Sequence, residues 1–448
     1  MLSQEPAQAL HSLLQSSIAK LALFSLILPV IYCASIAFYN VYLHPLSKFP
    51  GPLLGRASLL WRARYSMGGR FHASIDKAHK EYVRISPNEL SFASVESWKA
   101  IYGHPVAGRA TMVKSEFYDM YGSGFDSLCI GSERKPQVHS RMRKSLTPAF
   151  STKALAEQES IVQMCIDEFI EKVGEQGTQE KGLDMTKWFE MLAFDILGEM
   201  AFGETFHCIQ NGKPHHWSEM ITSHLFFITL LDNLRRYPIF YYIGIFLLPK
   251  LTFSVRNQHS QFSRDKVARI AGGETVATFL AATTYYILKN PSVYAELCKE
   301  IRSQFHSLSD INATAAQQLP YLQAVISEGL RIYPPGSQGF PRLSPGAEIA
   351  GMYIPPGTEV YTSAWTVTHD TRYFHDPYAF KPSRWLDPDC TDIKEASQPF
   401  SLVFYTFDLE LLDPKLEWEK QSRIHVMWWK PSLPVRFRAR ERAGAKEM

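Results

Sequence analysis

Glu328 and Arg331 stand three apart in Ser327-Glu328-Gly329-Leu330-Arg331-Ile332-Tyr333-Pro334-Pro335, and about fifty residues later Arg384 lies in Phe380-Lys381-Pro382-Ser383-Arg384-Trp385. Residues three apart share one helix face, and the paired prolines end that helix. Alone, a Glu-x-x-Arg pair is a common surface ion pair worth little. Placed ahead of two prolines and answered by an arginine framed by Phe, Pro and Trp, it reads as one carboxylate shared by two guanidinium forks. Three buried charges are satisfied together only if two distant segments meet in the interior. The roles of Glu328, Arg331 and Arg384 are therefore structural.

The chain has the material for such an interior, with 448 residues, 46% of them hydrophobic and 20% charged. No repeat, low-complexity tract or Gly/Ser linker divides it beyond the N-terminus, which implies one large domain. A net charge of +3 and the lack of a basic stripe interleaved with aromatics exclude a nucleic-acid partner. Six cysteines occur without Cys-x-x-Cys spacing, so free thiols in a reducing compartment are expected.

Leu21 to Phe38 is uncharged and interrupted only by Pro29. Eighteen to twenty residues rising ~1.5 Å each just span a ~30 Å hydrocarbon core. The expectation is a short tail over residues 1–17 and a transmembrane anchor over 18–40. A proline-rich hinge over 41–56 follows, and the main domain occupies 57–448. Lys48, Arg56, Arg62, Arg64 and Arg70 follow the run, which orients the domain toward the cytosol. The sequon Asn312-Ala313-Thr314 then reads as a chance match.

The Glu328 helix and the Arg384 loop resemble the Glu-x-x-Arg helix and downstream arginine loop of the cytochrome P450 family, the haem-thiolate monooxygenases. The likeness runs from the hinge at Tyr42 to Trp428-Trp429-Lys430-Pro431. It is greatest to fungal microsomal, secondary-metabolism members of the isotrichodermin hydroxylase-like kind. It implies a mostly helical fold with small β-sheets behind a single-pass anchor in the endoplasmic reticulum membrane. It also implies haem b, an NADPH–cytochrome P450 reductase as electron donor, and a small lipophilic substrate. Alternation in Val83–Phe92 around Pro87-Asn88 signals a hairpin, and strand-type residues from Gly351 to Thr368 suggest a second small sheet. Ile161, Cys165, Phe169 and Val173 recur at helical spacing, as do Trp188, Met191, Leu192, Asp195 and Ile196. The aromatic stretch from Phe226 to Leu248, with Arg235 and Arg236, corresponds to the family's substrate lid; by itself it reads equally as core or surface helix.

By the same resemblance, Glu274 and Thr275 in Ala271-Gly272-Gly273-Glu274-Thr275-Val276 fill the acid and hydroxyl positions that relay protons during oxygen activation. His139 and Arg143, four apart and so on one helix face, match residues that reach a haem propionate, and Arg342 matches another. The pattern then breaks. Where the family supplies Phe-x-x-Gly-x-Arg-x-Cys-x-Gly, this chain reads Gln398-Pro399-Phe400-Ser401-Leu402-Val403-Phe404-Tyr405-Thr406-Phe407. No metal ligand is expected after Leu402. Acidic neighbours oppose a thiolate at Cys390, and Cys129 lies on the wrong side of the fold. Arg264-Asp265-Lys266-Val267-Ala268-Arg269 runs straight into Ile270, as if the first half of the central helix were lacking. The P450-like domain thus carries apparent gaps near 269/270 and 402/403. Two functions follow. One is a monooxygenase of fungal secondary metabolism whose literal chain here is inactive. The other is a haem-free, non-catalytic relative that binds a substrate or partner. Altered splicing or a mis-drawn gene would account for the gaps in either case.

Overall fold

The computed structural model describes residues 24–25, 27–79, 82–103, 111–121, 130–150, 154, 157–237, 274–307, 310–396 and 407–439. Two bodies pack together, one built on a sheet and one helical. In the first, β1 (Tyr82–Ser86) and β2 (Glu89–Phe92) form the expected hairpin. Short strands β3 (Val113–Lys114), β5 (Arg342–Leu343) and β8 (Glu359–Thr362) complete a sheet in the order β1-β2-β8-β5-β3. Helices α1 (Leu60–Met67) and α2 (Phe71–Ala78) cover it. Trp61, Phe71 and Ile75 bury themselves against Val83 and Ile85.

The stretch from Gly351 to Thr368 is not one sheet. β6 (Ala347–Ile349) and β7 (Met352–Ile354) make a separate hairpin, β8 joins the large sheet parallel to β2, and Ala364–Thr368 is helical. Pro355-Pro356-Gly357 is the reason: it interrupts the hydrogen-bond ladder, freeing the chain to change sheets.

The helical body comprises α3 (Pro136–Leu146), α4 (Glu159–Gly177), α5 (Met185–Phe202), α6 (His216–Leu234), α7 (274–289), α8 (Pro291–Gln304) and α9 (Pro320–Ile332). The periodic residues meet as read. Cys165, Phe169 and Val173 face Trp188, Phe189 and Leu192 in one core that also takes in Ile287, Leu297 and Leu322. Asp195 is buried but polar because it accepts hydrogen bonds from the backbone N–H groups of Cys208 (3.0 Å) and Ile209 (2.8 Å). A small sheet of β4 (Leu183–Asp184), β9 (Phe407–Leu411) and β12 (Pro434–Ala439) closes the base, and β10 (Arg423–His425) pairs with β11 (Met427–Trp429). Gly329 lets α9 lie against α7, since a Cβ there would sit 2.4 Å from Thr283 Oγ1.

The hinge over 41–56 is docked. Leu46 and Phe49 are buried, Arg84 N–H donates to the Pro50 carbonyl (2.7 Å), and Arg56 donates to the carbonyls of Val41 and Ser47 (3.1 Å each). The anchor expectation falls partly outside the described residues. Residues 27–38 are helical and carry exposed Leu28 (65%), Val30 (67%) and Phe38 (58%). Among the described residues no helix is long and apolar enough to cross a membrane. A transmembrane helix over 18–40 is thus not seen; the described helical part is simply too short to span. Asn312 serves as a helix N-cap, its side chain accepting from Ala315 N–H (2.9 Å), an ordinary structural use.

Candidate functional site

Glu328 is the centre of a buried network. Its carboxylate accepts from Arg331 Nε and Nη2 (2.9 Å each), Arg384 Nε (3.2 Å), Lys381 N–H (2.8 Å) and Trp385 Nε1 (3.0 Å). Arg331 spends its remaining donors on the carbonyls of Thr368, Pro377 and Ala379. Arg384 donates to the His375 carbonyl (2.9 Å) and pairs with Asp392. The Phe374 ring lies beneath both guanidinium groups, 5.1 Å from Arg331 and 5.9 Å from Arg384. Asp392 is the member that sequence reasoning missed. Burial alone would raise its pKa, but hydrogen bonds from His375 and Arg384 outweigh burial and hold it at about 2. It belongs to the acidic run that argues against a thiolate at Cys390, and only the fold shows the partner it faces.

A second cluster is cationic. Lys114 on β3 stands directly opposite Arg342 on β5, a like-charge pairing that costs stability. Both cations lie over the Tyr118 ring at 5.2 Å, and Arg342 also lies over Tyr102 at 5.4 Å. Arg342 donates to Tyr118 Oη and the Pro341 carbonyl. His139 on α3 feels the same charges. Burial first, then Lys114, Arg143 and Arg342, lower its pKa. Among the described residues neither Arg143 nor Arg342 forms an ion pair with a carboxylate. The structure thus gathers His139, Arg143 and Arg342 and adds Lys114, for which no sequence motif gave a signal. The helix that carries two of them, α3, has no buried residue.

Glu274 and Thr275 lie elsewhere. Glu274, the first described residue of α7, is buried against Lys430, which also pairs with Glu190 (3.0 Å) and donates to Thr278 Oγ1 (3.4 Å). Burial chiefly, with Glu190 adding and Lys430 opposing, raises the Glu274 pKa. Thr275 is half-buried on the next position. Among the described residues the partners of Glu274 are Lys430 and its neighbours, not the cationic cluster. The junctions at 269/270 and 402/403 lie outside the described residues.

A haem has two carboxylates and an iron, and the two halves are served unequally. The cationic cluster suits the carboxylates. The described thiols do not suit the iron: burial foremost, then Asp195, pushes Cys165 up to about 11 and Cys208 up to about 12, Cys298 is buried and Cys33 lies in the apolar N-terminal segment. Cys390 sits between Asp389 and Thr391, two residues from the Asp392 that pairs with Arg384. Among the described residues no thiol completes a haem-thiolate site; Cys129 lies outside them.

The cytochrome P450 family model matches residues 48–265 and 267–402. Cytochrome P450 monooxygenase ORF9 of Penicillium roqueforti (strain FM164) is 54% identical over 468 residues, taking in 91% of this chain and 92% of the relative. Cytochrome P450 monooxygenase BOT4 of Botryotinia fuckeliana is 46% identical over 479 residues, with 93% and 91% covered. Since 91% of 448 residues is about 408, the 468-position alignment leaves about 60 positions where the relative has a residue and this chain has none.

Proposed function

The chain belongs to the cytochrome P450 family, and from that footing we propose a monooxygenase of fungal secondary metabolism, acting on a small lipophilic intermediate, whose iron site is incomplete in this chain. By family it is an oxidoreductase. The observation that carries the incompleteness is the sequence from Gln398 to Asp408, which contains no cysteine. The end of the family match at residue 402, its break at 266, and the unmatched positions in the alignments support loss of inner segments over gradual decay. So does α3, since a helix of a globular domain ordinarily buries one face.

The anchor over 18–40 and residence in the endoplasmic reticulum membrane, with the domain in the cytosol, are part of the same reading. The exposed apolar side chains of residues 27–38 support it. NADPH–cytochrome P450 reductase is the electron donor proposed for the complete form. A bound haem would supply oxygen activation. This chain's own residues offer its carboxylates His139, Arg143, Arg342 and Lys114.

The test is the haem content and the carbon-monoxide difference spectrum of the reduced protein. The unmodified chain is expected to purify with little haem and no thiolate-type Soret band. Inserting a relative's cysteine segment after Leu402, with its helical segment before Ile270, is expected to restore both. Stoichiometric haem with a thiolate spectrum in the unmodified chain would overturn the proposal and point to Cys390 or Cys129.

A further inference from the structure

A cavity of about 580 Å³ opens where the end of α7 and the start of α8 meet the loop that precedes Arg384. That volume suits a small molecule. Five aromatic side chains line it: Tyr285, Tyr286, Tyr321, Tyr378 and Phe380. None of them holds a charge of the Glu328 network or of the cationic cluster. Three of the four phenols have already spent their protons. Tyr285 donates to the Leu416 carbonyl (2.7 Å), Tyr286 to Glu419, and Tyr378 to Asp76 (2.9 Å). They leave an anion in the cavity no hydroxyl donor.

The charge around these rings is negative. Among the described residues neither Asp76 nor Glu419 forms an ion pair, and burial foremost raises the pKa of each. Burial also raises all four tyrosines, and the charges that add to it are carboxylates. Glu419 acts on Tyr285 and Tyr286, Glu296 and Glu300 on Tyr321, and Asp76 on Tyr378. Two lysines line the cavity as well, and both are engaged. Lys381 pairs with Asp376, and Lys289 donates to the Pro414 carbonyl (2.5 Å). Lys289 also lies over the Tyr285 ring, 5.9 Å from its centre, so one of these rings already holds a cation. Aromatic walls, carboxylates without ion-pair partners and a shortage of free donors together select a cation over an anion.

We propose that this cavity is a binding site for a small organic cation, an ammonium or quaternary ammonium group on a short apolar body. The stacked rings of Tyr286 and Phe380, 5.5 Å apart, and those of Tyr285, Tyr321 and Tyr378 form its walls. Glu419 and Asp76 supply the opposing charge through the two phenols that donate to them. No part of the site draws on haem, so it is independent of the monooxygenase reading.

NMR titration of the full chain in a non-ionic detergent tests it with two probes of one shape. They are choline and neohexyl alcohol, its uncharged isostere in which carbon replaces nitrogen, each followed by its methyl singlet. Choline is expected to bind about 10-fold or more tighter, since a desolvated cation–π contact is worth at least that factor. Tyr378→Leu, at the exposed mouth, and Glu419→Gln should each weaken choline about 5-fold or more and change the isostere by less than about 2-fold. Equal affinity for the two probes, or no binding of choline, would overturn the proposal. So would tighter binding of the anion of tert-butylacetic acid, which would assign the cavity to its lysines. Unchanged choline affinity in either folded variant also overturns it, because the cation would then sit elsewhere. Should neither variant fold, the comparison of probes on the unsubstituted chain decides alone.

Discussion

Replacing Glu328 by Gln keeps the shape of the side chain and removes its charge, which isolates the electrostatics of the network. Five donors converge on the two carboxylate oxygens. A glutamine keeps one oxygen and turns an NH2 group against the donors on the other side. Arg384 retains Asp392, but Arg331 loses its one carboxylate and keeps only the carbonyls of Thr368, Pro377 and Ala379. An uncompensated charge in a site with no exposed surface costs about 3–5 kcal/mol. Unfolding entropy of about 2.1 cal/mol/K per residue over roughly 400 ordered residues gives about 0.8 kcal/mol/K, so the midpoint should fall by about 4–6 °C. Thermal scans of both proteins at one scan rate, followed by tryptophan fluorescence, measure it. Arg384→Met should cost a similar amount by stranding Asp392. A fall of less than about 1 °C in both variants would show that the closed network adds nothing to stability, against the magnitude worked here.

Gly329→Ala should lower the midpoint despite alanine's better helix propensity of about 1 kcal/mol, because the new methyl meets Thr283 and Phe279 and overpacking costs about 1–3 kcal/mol; a rise would refute the close approach of α9 and α7. Asp392, whose pKa is depressed to about 2, adds stability that is present above its ordinary value near 3.8 and lost as pH falls from about 4 to about 2. Asp392→Asn should therefore flatten the loss of melting temperature between pH 5 and pH 3, and an unchanged slope would exclude this group as its source. Removing residues 1–40 should move the protein from the carbonate-resistant membrane fraction to the supernatant; retention there would end the anchor reading. Metal-free protoporphyrin IX should bind through its two carboxylates, and Arg342→Met should weaken that binding by about 10- to 100-fold, one charge-assisted contact contributing about 1.5–3 kcal/mol. Equal binding of the dimethyl ester would show that the cationic cluster does not read the carboxylates.

Features set by short spacings were legible in the chain. Glu328 and Arg331 share a face because they are three apart, Cys165, Phe169 and Val173 because they are four apart, and the β1–β2 turn follows from Pro87-Asn88. Pairings across long separations were not. Lys430 meets Glu274 over 156 residues and Arg62 meets Asp232 over 170, and no periodicity in a single sequence announces such partners. Arg235 and Arg236 show the cost. Read along the chain, two adjacent arginines in an aromatic stretch resemble the polar edge of a lid; in the fold they pair with four carboxylates, Glu89, Glu116, Asp232 and Glu359, one of them on α6 itself. Lys114 was invisible for another reason: its role depends on the register of a two-residue strand, which composition cannot set.

The Glu328 network and the cationic cluster differ in where their partners come from. The side-chain and backbone groups that satisfy Glu328, Arg331 and Arg384 all come from residues 328 to 392. Among the described residues none of these partners lies beyond Asp392. The network therefore closes on itself, and its stabilisation of α9 and the Arg384 loop does not depend on haem. The cationic cluster is the reverse case. Lys114 and Arg342 face each other across paired strands, and among the described residues neither Arg143 nor Arg342 forms an ion pair with a carboxylate, while the charge of Glu133 opposes theirs at His139.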